Sequence, residues 1–315
     1  MSEHENRKIG VLVMSYGTPE SMDDVEAYYT HIRRGHAPTP ELLAELKGRY
    51  EAIVGGVFPL RENTNGQVAG LQDKLEQLAP GRYACYQGLK HAKPYIEDGV
   101  QQMADDGIKK AVGIVLAPHY SVMSVGGYIK RAQEKAEQLG IEISFVEQYH
   151  LHPKLLKALE DRVSDGLGRL AEAAGGRERV KVLFSAHSLP EKIRELGDPY
   201  ERQLLETSAA VAEAAGVKDW QFTWQSAGRT REPWLGPDIL ETLPVLAEDG
   251  VKAVLVAPVG FVSDHLEVLY DLDIEARAAA KDLNMTLDRI AMLNRDPLYM
   301  ETLAESVIDA VQGKE

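Results

Sequence analysis

Cysteine is almost missing: Cys85 is the only one in 315 residues. A single thiol cannot close an internal disulfide, nor can it furnish a Cys-rich zinc site or an iron–sulfur cluster. Any metal must be held by imidazole, carboxylate or tyrosine oxygen. Long apolar runs are missing too. The longest, Ala253 to Val262, contains Pro258 and is about half as long as a membrane span requires. Residues Met1 to Lys8 are polar and lack the charged-then-apolar pattern of a secretion signal. The expectation is a cytoplasmic protein with no membrane insertion. Positive charge is scarce: 35 Lys and Arg against 49 Asp and Glu leave a formal net charge of −14. That balance argues against nucleic acid or anionic membrane as the main partner, while a local basic patch can still bind a small anion. Phosphate-cradling loops are absent as well. Gly55-Gly56 and Gly126-Gly127 have neither the G-x-G-x-x-G spacing nor a following Lys-Ser/Thr, and H-E-x-x-H and G-x-S-x-G do not occur.

What is present is an ordinary globular composition, 44% hydrophobic, in a chain long enough for two domains. Short apolar runs alternate with amphipathic stretches: Ile9 to Met14 then Ser21 to Arg34, Ala111 to Leu116 then Gly127 to Gln138, Val180 to Phe184 then Glu191 onward. The runs are too continuous for half-exposed strands, so they predict parallel sheets covered on both faces by helices. The fold expected is α/β, with two similar Rossmann-like, doubly wound domains. Lys8 to Glu20 aligns without gaps to Arg179 to Glu191 with four identities in thirteen positions, and Gly107 to Pro118 echoes Gly250 to Pro258. Two echoes in the same order favour a duplicated domain over two unrelated Rossmann-like segments. The halves are expected at 1–150 and 151–315, the last helix packing back on the first domain. In the first alignment Tyr16 falls opposite His187. Both residues end a buried strand, where doubly wound sheets bind ligands.

The residues after the strands carry the chemistry. His187, in Ser185-Ala-His-Ser-Leu-Pro190, titrates near neutrality and suits a base or a metal ligand, although many such histidines only hold a loop. In Pro258 to Asp271 and just beyond, Glu267, Asp271 and Glu275 fall at i, i+4 and i+8, which stacks three carboxylates along one helix face. Like charges at that spacing oppose the helix unless a cation resolves them, so the ladder suits a weakly held divalent metal such as iron(II). A plain solvated acidic face is the competing reading. Asp264 and His265 are near enough to influence Glu267, or simply begin the helix. Arg33 and Arg34 before Gly35, followed by Arg49, suit a clamp for ligand carboxylates, or the favourable end of a helix dipole. His150 and His152 are read as ordinary surface ahead of Pro153.

Leu183-Phe-Ser-Ala-His-Ser-Leu-Pro190 with Gly197-Asp-Pro-Tyr200, and Val259-Gly-Phe-Val-Ser-Asp-His-Leu-Glu267, resemble the signatures of the ferrochelatases. Tyr16-Gly-Thr-Pro19, Tyr28-Tyr-Thr-His-Ile-Arg-Arg-Gly35, Ala117-Pro-His119, Trp224-Gln-Ser226 and Trp234-Leu-Gly-Pro237 resemble family segments in family order. Tyr16, the short chain and the lack of a cysteine cluster resemble the soluble Firmicutes-type enzymes that metallate coproporphyrin III. The resemblance implies a chelatase-like pair of domains with a porphyrin cleft between them. It implies iron(II) insertion into coproporphyrin III in haem biosynthesis, iron being a substrate and no cofactor being required. His187 and Glu267 are then the catalytic and metal residues, and Tyr16 is the axial ligand of product iron. Asp271 and Glu275 are an outer metal path able to take an accessory divalent cation. Tyr16, Arg33, Arg34, Arg49, Tyr50, Tyr128 and, more weakly, His91 are the porphyrin contacts. The implied downstream partner is a coproheme decarboxylase. Alternatives are a protoporphyrin IX ferrochelatase, a sirohydrochlorin-type chelatase, or a non-catalytic haem or porphyrin carrier. One departure stands out: where the family commonly has Gly-Gly-x-Ser-Pro, this chain has Gly55-Gly-Val-Phe-Pro59 after an added Val54, so Phe58 replaces a propionate-contacting hydroxyl.

Overall fold

The apolar runs Ile9–Ser15, Lys110–Val115, Lys181–His187 and Ala253–Ala257 become strands that are almost wholly buried, as runs covered on both faces do. The computed structural model describes residues 8–54, 58–228 and 230–313. They form two units: 8–118 with 124–149 and 294–313, and 119–123 with 150–293.

The first unit contains β1 (Ile9–Ser15), β2 (Tyr83–Leu89), β3 (Lys110–Val115) and β4 (Glu142–Val146), all parallel in the order β2-β1-β3-β4. Its helices are α1 (Val25–Ile32), α2 (Pro40–Val54), α3 (Pro59–Leu78), α4 (Ile96–Asp105) and α5 (Val125–Leu139). Of these, α4 packs on α5 and on β2, and α3 packs on β2 as well. The second unit contains β5 (Lys181–His187), β6 (Trp220–Gln225), β7 (Ala253–Ala257) and β8 (Thr286–Arg289), again parallel, in the order β6-β5-β7-β8. Its helices are α6 (Pro153–Ala174), α7 (Tyr200–Ala214), α8 (Ile239–Glu248), a single turn α9 (Leu266–Leu269), a π-helix over Asp271–Ala276, and α10 (Arg277–Asp282). With strands renumbered from the start of each unit, the two orders are identical. That is the duplicated doubly wound α/β architecture expected from the two sequence echoes.

The last helix, α11 (Pro297–Gln312), belongs to the first unit and packs on α3. Its buried Tyr299 hydroxyl meets that of Tyr149 at 3.0 Å, and Tyr149 in turn donates to the Val115 carbonyl at 3.0 Å. Residues His119–Met123 group with the second unit, where Asp198 accepts from Ser121 Oγ at 2.9 Å and Gln203 Oε1 accepts from the Tyr120 amide at 2.7 Å. On one face of the second sheet, Leu183, Val254, Val256 and Leu287 pack against Leu243 and Leu246 of α8 and Val268, Leu272, Ala276 and Ala280 of the run after β7. This apolar line fixes which way that run faces, and therefore where its carboxylates stand.

Candidate metal and macrocycle site

An open sheet ordered 2-1-3-4 reverses its winding between its first and third strands, and the crevice beyond their carboxyl ends is where such folds bind ligands. In the second unit that point lies between β5 and β7. His187 is the last residue of β5, and Glu267 follows β7 by ten residues. Gly260 makes the approach possible. A Cβ there would stand 2.4 Å from Ala186 Cβ, so only glycine lets the chain leaving β7 pass over the end of β5. Beyond it Ser185 and Gln225, both fully buried, build the floor: Ser185 Oγ donates to Gln225 Oε1 at 2.8 Å, and Gln225 Nε2 donates to the Glu267 carbonyl at 2.8 Å.

His187 Nε2 lies 3.4 Å from Glu267 Oε1, and the other ring nitrogen, Nδ1, donates to the Ser188 carbonyl. Both side chains are about one-third exposed. Partial burial opposes charge on the imidazole, but the Glu267 carboxylate, the Ser188 carbonyl and the charge of Asp271 outweigh it and raise His187 to about 9. Burial likewise opposes charge on Glu267, yet His187 and His265 hold it below the usual carboxylate range. The pair therefore stands as imidazolium and carboxylate near neutral pH, sharing one proton. His265 Nε2 is 3.3 Å from Glu267 Oε2, and Tyr200 donates its hydroxyl to the His187 carbonyl at 3.2 Å.

Asp271 is buried and accepts from Ser226 Oγ, which is aimed by a left-handed backbone (φ 59°) that a non-glycine residue seldom adopts. Glu275 is exposed. The three carboxylates do not sit on one uninterrupted α-helix. The α9 turn gives way to the π-helix, in which the Glu275 amide bonds the Tyr270 carbonyl five residues back at 3.0 Å. Among the described residues, no three His, Cys, Asp or Glu side chains cluster closely enough to hold a metal ion together. The spacing of the residues themselves reflects the π-helix. Both the carboxylates (267, 271, 275) and the buried apolar residues (268, 272, 276, 280) repeat strictly every four residues. A 3.6-residue helix drifts about 40° at each such step, and a wider turn takes up the drift.

In the first unit the equivalent position carries Tyr16, one residue past β1 and 41% exposed. Gly17, at φ 86°, turns the chain there, and the Tyr16 ring packs against His91 with centroids 4.6 Å apart. His91 Nδ1 is 2.9 Å from Nδ1 of His31, which stacks on Tyr95. Burial, followed by the charges of Lys90, His31 and Arg131, pushes His91 down to about 3, so its ring is neutral. Sequence reasoning missed His31 because only the tertiary structure pairs it with His91. Lys90 Nζ lies 4.9 Å over the ring of Tyr128, which is 5% exposed. Tyr50, also buried, meets Thr18 Oγ1 through its hydroxyl at 3.4 Å.

Arg33 caps α1, donates to the His36 carbonyl at 3.2 Å and lies over Tyr29. Arg34 has a left-handed backbone (φ 56°) before Gly35, and Arg49 lies on α2 beside Tyr50. Phe58 turns inward, 4% exposed, with its ring 4.8 Å from that of Tyr50. An apolar ring in place of a hydroxyl gains more by joining the core than by facing a carboxylate. Residues 55–57 and the Val54 side chain lie outside the described residues. His150 and His152 are not plain surface: His150 is buried and pairs with Glu206 at 2.9 Å, and His152 caps α6 by accepting from the Lys154 amide at 3.3 Å. A histidine beside an acid can be buried because the partner satisfies its ring nitrogen.

A family model described as Ferrochelatase matches residues 8–311. The chain is 47% identical over 305 residues to a coproporphyrin III ferrochelatase of Bacillus subtilis, covering 96% of this chain and 97% of the relative. It is also 47% identical over 312 residues to a coproporphyrin III ferrochelatase of Oceanobacillus iheyensis, covering 98% and 99%. Among solved structures, the sirohydrochlorin chelatase SirB of Bacillus subtilis subspecies spizizenii, in complex with cobalt, is similar with a TM-score of 0.60 at 13% identity, covering 98% of this chain and 97% of that one. At that identity the likeness speaks for the fold. The sequence match extends over almost every residue that builds the two strand-end sites, and by it the chain belongs to the ferrochelatase family.

Proposed function

We propose that the protein inserts iron(II) into coproporphyrin III, the substrate class in the names of its relatives from Bacillus and Oceanobacillus. The observation that carries the reading is the His187–Glu267 pair, an imidazole and a carboxylate 3.4 Å apart at the winding reversal of the second sheet. Metallation replaces two pyrrole N–H protons by one divalent ion, so two protons must leave. A pair already sharing one proton near neutral pH must pass that proton to solvent before it accepts the next, and once emptied it is a nitrogen–oxygen donor set that suits iron(II). Iron is a substrate here. Asp271 and Glu275 pass the cation inward, and an accessory divalent ion would bind along the same path.

Tyr16 is the oxygen ligand for iron in the product. Arg33, Arg34 and Arg49 hold propionates, with Tyr50, Tyr128 and His91 lining the macrocycle. Binding energy from those propionates is available to bend the ring, which a rigid flat macrocycle needs before it admits a dehydrated ion. Among the described residues no helix is long and apolar enough to cross a membrane; the protein works in the cytoplasm and hands its product to a coproheme decarboxylase.

The test is to mix the protein with anaerobic iron(II) and coproporphyrin III and follow the absorption of the metalloporphyrin. Growth well beyond one equivalent per protein is expected. Arrest at one equivalent would make it a carrier, and a clear preference for protoporphyrin IX in the parallel assay would overturn the substrate assignment.

A further inference from the structure

Arg289 ends β8, and its side chain is only 12% exposed. Its Nε and Nη2 donate to the two oxygens of Asp273, both at 2.9 Å, and Nη2 also donates to Asp264 Oδ1 at 2.9 Å. Nη1 donates to the Ile290 carbonyl at 3.0 Å, so the guanidinium is fixed in plane on every side. Its two acidic partners are placed with purpose. Asp264 lies three residues before Glu267, and Asp273 lies inside the π-helix, two residues after Asp271. Between them the chain changes conformation twice: His265 is extended (φ −158°), α9 lasts four residues, and the wider turn of the π-helix follows. So short a helix cannot hold its own geometry, because its few hydrogen bonds do not repay the cost of ordering it.

Five carboxylates, Asp264, Glu267, Asp271, Asp273 and Glu275, also crowd into twelve residues and repel one another. A planar guanidinium that grips one acid with two bonds and reaches a second fixes both distance and angle, which a lysine cannot do. We propose that Arg289 is a positioning residue for metallation: it ties the turn carrying Glu267 to the turn carrying Asp271, and so sets the spacing of the carboxylates that meet the ion. Arg289 acts through Asp264 and Asp273 and touches neither substrate. The inference rests on the iron-insertion reading and deepens it by naming what holds the metal-side carboxylates in register.

Arg289→Lys and Asp273→Asn are the variants to compare with wild type in anaerobic iron(II) and coproporphyrin III turnover. Porphyrin affinity is measured separately by fluorescence quenching, and Tm is recorded for each protein. Asp161→Asn serves as the control, since Asp161 pairs with Lys157 at 2.7 Å on the exposed face of α6, away from the two tied turns. The expected result is a KM for iron(II) raised at least fivefold in both variants, porphyrin Kd within twofold of wild type, and no change in either constant for Asp161→Asn. An unchanged KM for iron(II) in a folded Arg289→Lys protein overturns the proposal. So does a loss of iron and porphyrin affinity together, in step with Tm, because that marks simple destabilisation. Wild-type protein that fails to turn over overturns the iron-insertion reading itself, a distinct outcome seen before any variant is compared.

Discussion

At the scale of single residues, the site depends on how neighbours set protonation. His187 holds its proton up to about pH 9 because an anion faces it, whereas His119, 97% buried, is pushed down to about 3 by burial and by His150. Replacing Glu267 by Gln or His187 by Ala removes one half of the donor pair. Metallation is expected to fall by about 10²–10⁴, the range of general acid–base contributions, while coproporphyrin III still binds. Near-normal turnover in either variant would move the reaction elsewhere. His119 gives the pH prediction. Its Nε2 meets Thr207 Oγ1 at 2.9 Å, while its buried Nδ1 has no hydrogen-bond partner among the described residues. The folded protein keeps this ring neutral while the unfolded chain takes up a proton below about pH 6.5, so its contribution to stability is present above that pH and is lost on acidification toward 3. The loss amounts to about 1.4 kcal/mol per pH unit per proton. His119→Asn should therefore flatten the fall of Tm between pH 6 and pH 4; an acid limb as steep as wild type would show that other groups govern it.

At the scale of elements, the run after β7 does the most. It starts with a glycine pressed against β5, continues through one α turn into a π-helix, and buries Val268, Leu272, Ala276 and Ala280 under α8. Gly260→Ala forces a methyl group into Ala186. The expected cost is about 1–3 kcal/mol, the usual range for overpacking, read as a fall in Tm of several degrees. Because the displaced segment carries Glu267, metallation should fall more than porphyrin binding does, and a proportional loss of both would show that the loop's path matters only for folding. The carboxylate ladder is legible in the sequence as a four-residue repeat, whereas the change of helix type is fixed by the packing of the run on α8.

At the scale of the whole molecule, a net charge of −14 coexists with an anionic substrate, so binding must rest on a few placed cations. Changing Arg33, Arg34 and Arg49 together to Ala should weaken coproporphyrin III binding about tenfold or more, since hydrogen bonds to charged groups are each worth about 1.5–3 kcal/mol before solvent screening reduces them. The KM for iron(II) should hold, and an equal loss for both substrates would assign these arginines a structural role. The sequence by itself determined the duplicated α/β plan, because strand runs and their turn residues are local and recur in the same order. It also determined the strand-end candidates Tyr16 and His187, and the family. The tertiary structure alone decided that His31 meets His91, that His150 is buried on Glu206, that Phe58 joins the core and that Arg289 spans Asp264 and Asp273. Apart from Phe58 and its near neighbour Tyr50, these pairings join residues 16 to 60 positions apart, and a linear pattern carries no information about which distant side chains the packing of helices on sheets will press together.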